Sequence, residues 1–277
     1  LMKSELTKQE IIKLIDQNGC CLARNGNLNL APANDRIIKV SAPLGMEPYA
    51  RMISSIMAKN YAMGINHCLI DIPVWPTAKV TNQTDAERIA QHFKNIGEYL
   101  DIKTEVILTK AEQPIGNWIG AVLQVREVLR VLQQHPTRPL DLQEKALELA
   151  AHLVVLCGLS ENYDQALEKV RFQLTSGAAR TKMQELITAQ EWKNPTIWSE
   201  NLDLASNTLE ITAKASGTIA SIDMKYLNSI ARTLGAPWDL SAGIYLHKKL
   251  HASVNKWDVL YTLYAQSANK LALAQEL

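Results

Sequence analysis

The six residues His67-Cys68-Leu69-Ile70-Asp71-Ile72 constrain this chain more than any other stretch. A continuous apolar run ending in an acid reads as a strand of a buried parallel sheet, with Asp71 at its carboxyl end. Pro73 to Pro76 then makes a rigid loop. Thr84 to Leu100 follows as a helix opening on the capping-box string Thr84-Asp85-Ala86-Glu87. Thr104 to Thr109 is a β-branched strand. Strand, helix, strand in that order predicts an α/β unit.

Ahead of it, Ser4 to Asp16 reads as a helix. Ser4 or Thr7 caps it, with Glu10 completing a box on Thr7, and Asn18-Gly19 ends it. Cys20 to Ala23 and Ile37 to Val40 are short strand candidates, with turn signals over Arg24 to Asn29. Pro48 suits a first helical turn, and Tyr49 to Met63 reads as a helix stopped by Gly64. Gly116 to Gln133, Leu142 to Leu156, Asn162 to Thr175 and Ala178 to Gln190 follow as helices, with Pro136 to Pro139 as a linker. After Pro195 the composition changes. Leu209 to Ala213, Gly217 to Ile222, Ala242 to Leu246 and Val259 to Tyr264 read as short strands around one helix, Met224 to Leu234.

The predicted fold class is therefore α/β, a partial parallel or mixed sheet with flanking helices, followed by a small β-rich α+β C-terminal domain. A length of 277 residues suits about two domains. The expected division is 1–63 (the start of the chain and the helix bearing Ser55 and Lys59), 64–204 (α/β with a helical extension) and 205–277 (the α+β tail). With 47% apolar and 21% charged residues the chain can bury a core. A net charge of +1 gives no electrostatic case for nucleic acid or an anionic membrane. Four cysteines in a chain this long are expected to be reduced thiols. No run of about 18 apolar residues and no signal pattern is present, which points to the cytoplasm. Leu1 in place of methionine suggests a chain that begins inside a longer protein.

Three places can carry chemistry. Ser55 and Lys59 are i, i+4 on one helix and share a face. By spacing alone a solvated face is the better reading of the pair. Asp71, at the end of an apolar strand, lies where open α/β sheets place ligands, or it caps the next loop. Gln113 to Gly120 enters a helix through a Gly-x-x-x-Gly pair. Its amides could meet an anion, its carbonyls a cation, or the glycines could serve only a tight turn. His247 and His251 are i, i+4, but their strand-like, lysine-rich context argues against zinc.

Taken together, several strings resemble the thymidine phosphorylase / AMP phosphorylase family, the pyrimidine-nucleoside phosphorylases. They are Leu30-Ala31-Pro32-Ala33-Asn34-Asp35, Ser54-Ser55-Ile56-Met57-Ala58-Lys59, Asp71-Ile72-Pro73-Val74 and Pro76-Thr77-Ala78-Lys79. Gln113-Pro114-Ile115-Gly116 and Val125-Arg126-Glu127-Val128-Leu129 follow. The tail adds Ala215-Ser216-Gly217, Gly235-Ala236-Pro237, Ala242 to Lys249 and Tyr261 to Ser267.

The resemblance implies an enzyme that transfers a pentosyl group from a base to inorganic phosphate as co-substrate, with no other cofactor. Its ligand would be a nucleoside or nucleoside monophosphate. Ser55 and Lys59 would be the base-binding pair. Ile115 and Trp118 carbonyls with Glu127 would be ligands of a structural monovalent cation. The family's base-contacting arginine falls near Ser41, and Trp75 stands where relatives often carry glycine. The glycine-rich phosphate loop would precede Leu1, so this chain is expected to be an inactive part of an enzyme that forms a homodimer. The alternative is a non-catalytic nucleotide-binding or interaction module.

Overall fold

The computed structural model describes residues 2–24, 36–37, 40, 49–191 and 198–277. The expectations at residues 25–35, Ser41, Pro48 and Pro195 lie outside the described residues. In chain order come α1 (Lys8–Asn18), α2 (Tyr49–Ala62), β1 (His67–Val74), α3 (Gln83–Tyr99) and β2 (Lys103–Lys110). Next are β3 (Trp118–Ile119), α4 (Ala121–Leu132), α5 (Leu140–Leu156), α6 (Tyr163–Thr175) and α7 (Ala178–Ala189). A 3-10 turn at Ser199–Asn201 precedes β4 (Asn207–Thr212), β5 (Gly217–Thr218) and α8 (Met224–Leu234). The chain closes with β6 (Gly243–Leu246), β7 (Ser253–Val254), β8 (Val259–Ala265) and α9 (Ala268–Gln275).

β1 and β2 pair with one another and run parallel, Lys103 N donating to Asn66 O and Ala111 N to Val74 O. The remaining sheet pairs are antiparallel, so the fold is mixed α/β. Contacts group the chain into two units, neither continuous in sequence. One comprises residues 1–72, 83–108 and 148–196, the other 73–82, 109–147 and 197–277.

In the first unit α1 has the capping box predicted from Thr7 and Glu10, and Gly19 ends it in the left-handed conformation at φ 73°. α2 packs on α3 through Ile53 and Met57, against the α3 stripe of Ala86, Ile89 and Phe93. Ile89 and Phe93 are almost wholly buried. Burial of side chains this size stabilises by roughly 1.5–3 kcal/mol each. The carboxyl-terminal part of α5 meets β2 through His152 on Glu105 (3.0 Å) and Lys103 Nζ on Leu156 O (2.7 Å).

Four local expectations are corrected here. Cys20–Ala23 is not a strand, because Leu22 is held by a side chain rather than by a neighbouring strand. Gln190, 1% exposed, accepts from Leu22 N (2.8 Å) and donates to Leu22 O (2.8 Å) and Lys3 O (2.7 Å). In the other candidate, the described Ile37 and Val40 are helical and exposed, so no sheet buries them. α3 begins at Gln83, so Thr84 lies inside it, and Glu87 accepts from Gln83 Nε2 (2.9 Å) instead of closing a box. β1 continues to Val74, and only Cys68 and Ile72 along it are fully buried. Asp71 is therefore half-buried and inside the strand, not at its end.

The Gln190 clamp yields a prediction. Gln190→Leu keeps the volume and strands three backbone groups. Each unsatisfied group costs about 1–3 kcal/mol. Denaturant unfolding should show a loss of about 3 kcal/mol or more, with faster amide exchange at Leu22. An unchanged midpoint would count against the clamp.

In the second unit β3, β6, β8 and β4 form a four-stranded sheet in that order. The register sets Trp118 opposite Tyr245, Tyr245 opposite Thr262 and Glu210 opposite Thr262. Alternation sends Ile244, Leu246 and Leu263 to one face, where Leu227, Ile230 and Leu234 of α8 and Leu271 of α9 complete the core. Asp223 caps α8, accepting from Lys225 N (2.8 Å) and Tyr226 N (3.0 Å). Three expectations change. The stretch expected as one helix from Gly116 to Gln133 opens with β3, because Trp118 and Ile119 pair at the sheet edge. The tail holds a second helix, α9, and the strand expected over Gly217 to Ile222 shrinks to β5, paired with β7.

Candidate functional site

On α2 the 3.6-residue turn brings Ser55 and Lys59 onto one face, roughly opposite Ile53 and Met57. The core takes the isoleucine–methionine stripe, and the hydroxyl and amine stand half-buried. Asn60 Nδ2 donates to Cys68 Sγ at 3.1 Å, fixing the carboxyl-terminal turn of α2 to β1. Burial pushes the Cys68 thiol up, with the Asn60 contact opposing it. Along β1, alternation sets Asp71 on the face opposite Cys68 and Ile72. The strand thus turns Asp71 away from the side that Asn60 touches. A cavity of about 390 Å³ opens between α2 and α3, lined by Ala50, Ile53, Ser54, Arg88, His92 and Ile96 among others. Neither Ser55 nor Lys59 lines it.

The loop before β3 is built from both ends of its peptide groups. Asn117 N donates to Glu127 Oε1 (2.6 Å) and Gly116 N to Asp141 Oδ2 (3.2 Å). Lys249 Nζ donates to Pro114 O (2.5 Å), Gly116 O (2.5 Å) and Asp141 Oδ2 (3.0 Å). Leu250 N adds a bond to Gln113 Oε1 (2.9 Å). Glu127 is 3% exposed. Burial pushes its carboxyl up, while the Asn117 and Trp118 amides pull it down. Gly116 holds φ +70°, and a Cβ there would overlap Glu127 Oε2. Of the expected cation ligands Ile115, Trp118 and Glu127, the carboxylate does come to the loop, where it takes backbone N–H donors.

On the face of the sheet turned away from α8 and α9 Trp118 packs against Tyr245 (centroids 4.2 Å) and Tyr264 (5.5 Å), and Arg126 lies over the indole (5.8 Å). Arg126 and Arg130 both bind Glu200, at 3.2 and 2.8 Å. His247 Nε2 meets Thr262 Oγ1 at 2.8 Å, and no group of three or more His, Cys, Asp or Glu that could hold a metal occurs among the described residues. Trp75 carries Lys110 Nζ over its ring at 5.3 Å, which gives that tryptophan a packing partner. Lys249 was invisible in the sequence as a loop residue. Its carbonyl partners lie 135 and 133 positions away, and no local spacing announces them.

Residues 218–277 match the model of the pyrimidine nucleoside phosphorylase C-terminal domain. The matched stretch covers α8, β6, β7, β8 and α9. The similarity extends far beyond the tail. A protein named for thymidine phosphorylase in Nitrobacter hamburgensis is 41% identical over 262 residues, 92% of this chain and 49% of its own length. The AMP phosphorylase of Thermofilum pendens is 37% identical over 272 residues, 98% of this chain and 52% of its own. That of Methanococcus maripaludis is 37% identical over 280 residues, 100% of this chain and 54% of its own. Over nearly its whole length the chain is thus similar to proteins named for thymidine phosphorylase and AMP phosphorylase. It spans about half the length of the curated relatives it matches.

Proposed function

We propose that this chain supplies the base-binding side of a phosphorylase acting on a nucleoside or nucleoside monophosphate. Ser55 and Lys59 carry the reading. They stand one turn apart on α2, half-buried, on a helix pinned to the parallel strand pair by Asn60 and Cys68. An amine and a hydroxyl so placed can donate to neighbouring acceptors on the edge of a planar ring. In phosphorolysis an oxygen of inorganic phosphate bonds to C1′ while the C1′–N bond breaks. The base departs with the bonding electron pair and gains the proton that phosphate gives up. Lys59 would neutralise the charge growing on a base carbonyl, and Ser55 would orient the ring. Donors that act where charge develops are the most effective kind.

The phosphate cradle belongs, in this reading, to the part of the family's length that the chain does not span. The same reading makes the complete protein a homodimer and places it in the cytoplasm. Four free thiols fit a reducing compartment. No helix among the described residues is long and apolar enough to cross a membrane.

Turnover with phosphate over a panel of nucleosides and nucleoside monophosphates tests the reading, with free base and pentose 1-phosphate as products. A protein spanning the relatives' full length and carrying this segment should release both in equal amounts. The 277-residue chain alone should release neither. Base release by the chain alone would refute the division of labour. A full-length protein inert toward the whole panel would refute the activity.

A further inference from the structure

The bend from Gln113 to Trp118 turns two carbonyl oxygens, of Pro114 and Gly116, toward one point, and a lysine ammonium occupies it. We propose that Lys249 is the built-in cation of this loop, a positioning residue that does the work a bound monovalent ion would otherwise do. The proposal rests on these contacts and not on the phosphorolysis reading.

A lysine ammonium has three N–H donors. Lys249 has three acceptors within reach: Pro114 O, Gly116 O and Asp141 Oδ2. Its hydrogen-bonding capacity is thereby used up, and its charge has a counter-ion. Asp141 turns the same oxygen to Gly116 N, so one carboxylate ties the ammonium to the loop amide beside it. The loop is then held on both sides, its carbonyls by a cation and its amides by the carboxylates of Asp141 and Glu127.

Of the expected ligands of a bound ion, the Glu127 carboxylate is already engaged in this arrangement. Glu127 Oε1 is committed to Asn117 N, and Oε2 sits against Gly116 so closely that a Cβ would collide with it. A carboxylate that serves an ion turns its lone pairs outward to it. This one turns them to the backbone. Lys249 itself is brought from a distant part of the chain by the end of β6 and by Leu250 N on Gln113 Oε1, so the loop and the residues after β6 are fastened at two adjacent points.

The test uses the full 277-residue chain, read by thermal melting and by amide exchange at Ile115, Gly116 and Asn117. Wild type is compared in potassium chloride and, after exhaustive exchange, in tetramethylammonium chloride at equal ionic strength. That cation is too large to sit among carbonyl oxygens. The melting temperature and loop exchange should be the same in both salts. Lys249→Met should accelerate exchange at the three amides about 100-fold, the scale of losing hydrogen bonds to a charged group. Lys249→Arg, which keeps the charge, should stay within about tenfold of wild type. A wild-type melting temperature that falls when small cations are removed would overturn the proposal. So would equal exchange in the Met and Arg variants, or a Met variant that exchanges like wild type. The salt comparison needs no variant and decides the matter even if Lys249→Met does not fold.

Discussion

Gly243→Ala is expected to detach β3 from the four-stranded sheet and to cost the second unit about 3–5 kcal/mol, at the upper end of what single substitutions do. Ile119 and Ile244 are opposite partners at that edge. The backbone crossing there is so close that a Cβ on Gly243 would overlap the carbonyl oxygen of Ile119 and reach within 2.5 Å of Leu123 Cδ1. Neither obstacle can yield cheaply. The oxygen belongs to main chain fixed by strand pairing, and Leu123 is wholly buried. Gly120 makes the reciprocal approach, where a Cβ would overlap the carbonyl of Ala242. The two glycines therefore form one contact of backbone on backbone. The substitution should lower the denaturation midpoint and weaken the near-ultraviolet signal of Trp118, which loses its packing on Tyr245 and Tyr264. Gly217→Ala is the control. It also sits in a strand, but nothing lies within 4 Å of its Cβ position. A Gly243 variant that melts like the Gly217 control would disprove the close crossing.

That crossing explains why part of the fold was hidden in the sequence. Local signals found what local physics builds. The Thr7–Glu10 box and the helix α6 appear where spacing put them, and β1 forms on its apolar run but continues two residues beyond it. Trp118 and Ile119 continue an apolar pattern that suits a helix, and only the partner strand, more than 120 residues later, makes them a strand. Cys20–Ala23 fails for the same reason in reverse. Its backbone partner is the side chain of Gln190, which periodicity cannot register. α9 was missed because its two buried residues, Leu271 and Ala274, lie close together on a short segment with no strong stripe. The site divides likewise. Ser55 and Lys59 share a face on any helix, so their geometry was legible, while their chemical meaning came from family resemblance. Lys249 has no signature, since its role is defined by oxygens brought to it by folding.

Lys59→Met, placed in a phosphorylase that spans the family's length, is expected to lower kcat/KM for the nucleoside by about 10²–10³-fold, the loss seen when one positioned donor is taken from a developing charge. Methionine preserves most of the stem, so the half-buried packing of this position on α2 should survive and the melting temperature should stay near wild type. The pattern of constants carries more weight than the size of the loss. If Lys59 meets charge that grows on the departing base, kcat falls and the phosphate KM stays put, because phosphate binds elsewhere. If it merely holds the ground-state base, the nucleoside KM rises and kcat is spared. Ser55→Ala removes a neutral hydrogen bond and should cost about tenfold. A double variant no worse than Lys59→Met alone would show that the hydroxyl works only through a base already held by the amine. Turnover unchanged by Lys59→Met for every substrate would remove α2 from the base-binding side and leave the cavity between α2 and α3, with Arg88 and His92 on its wall, as the place to look.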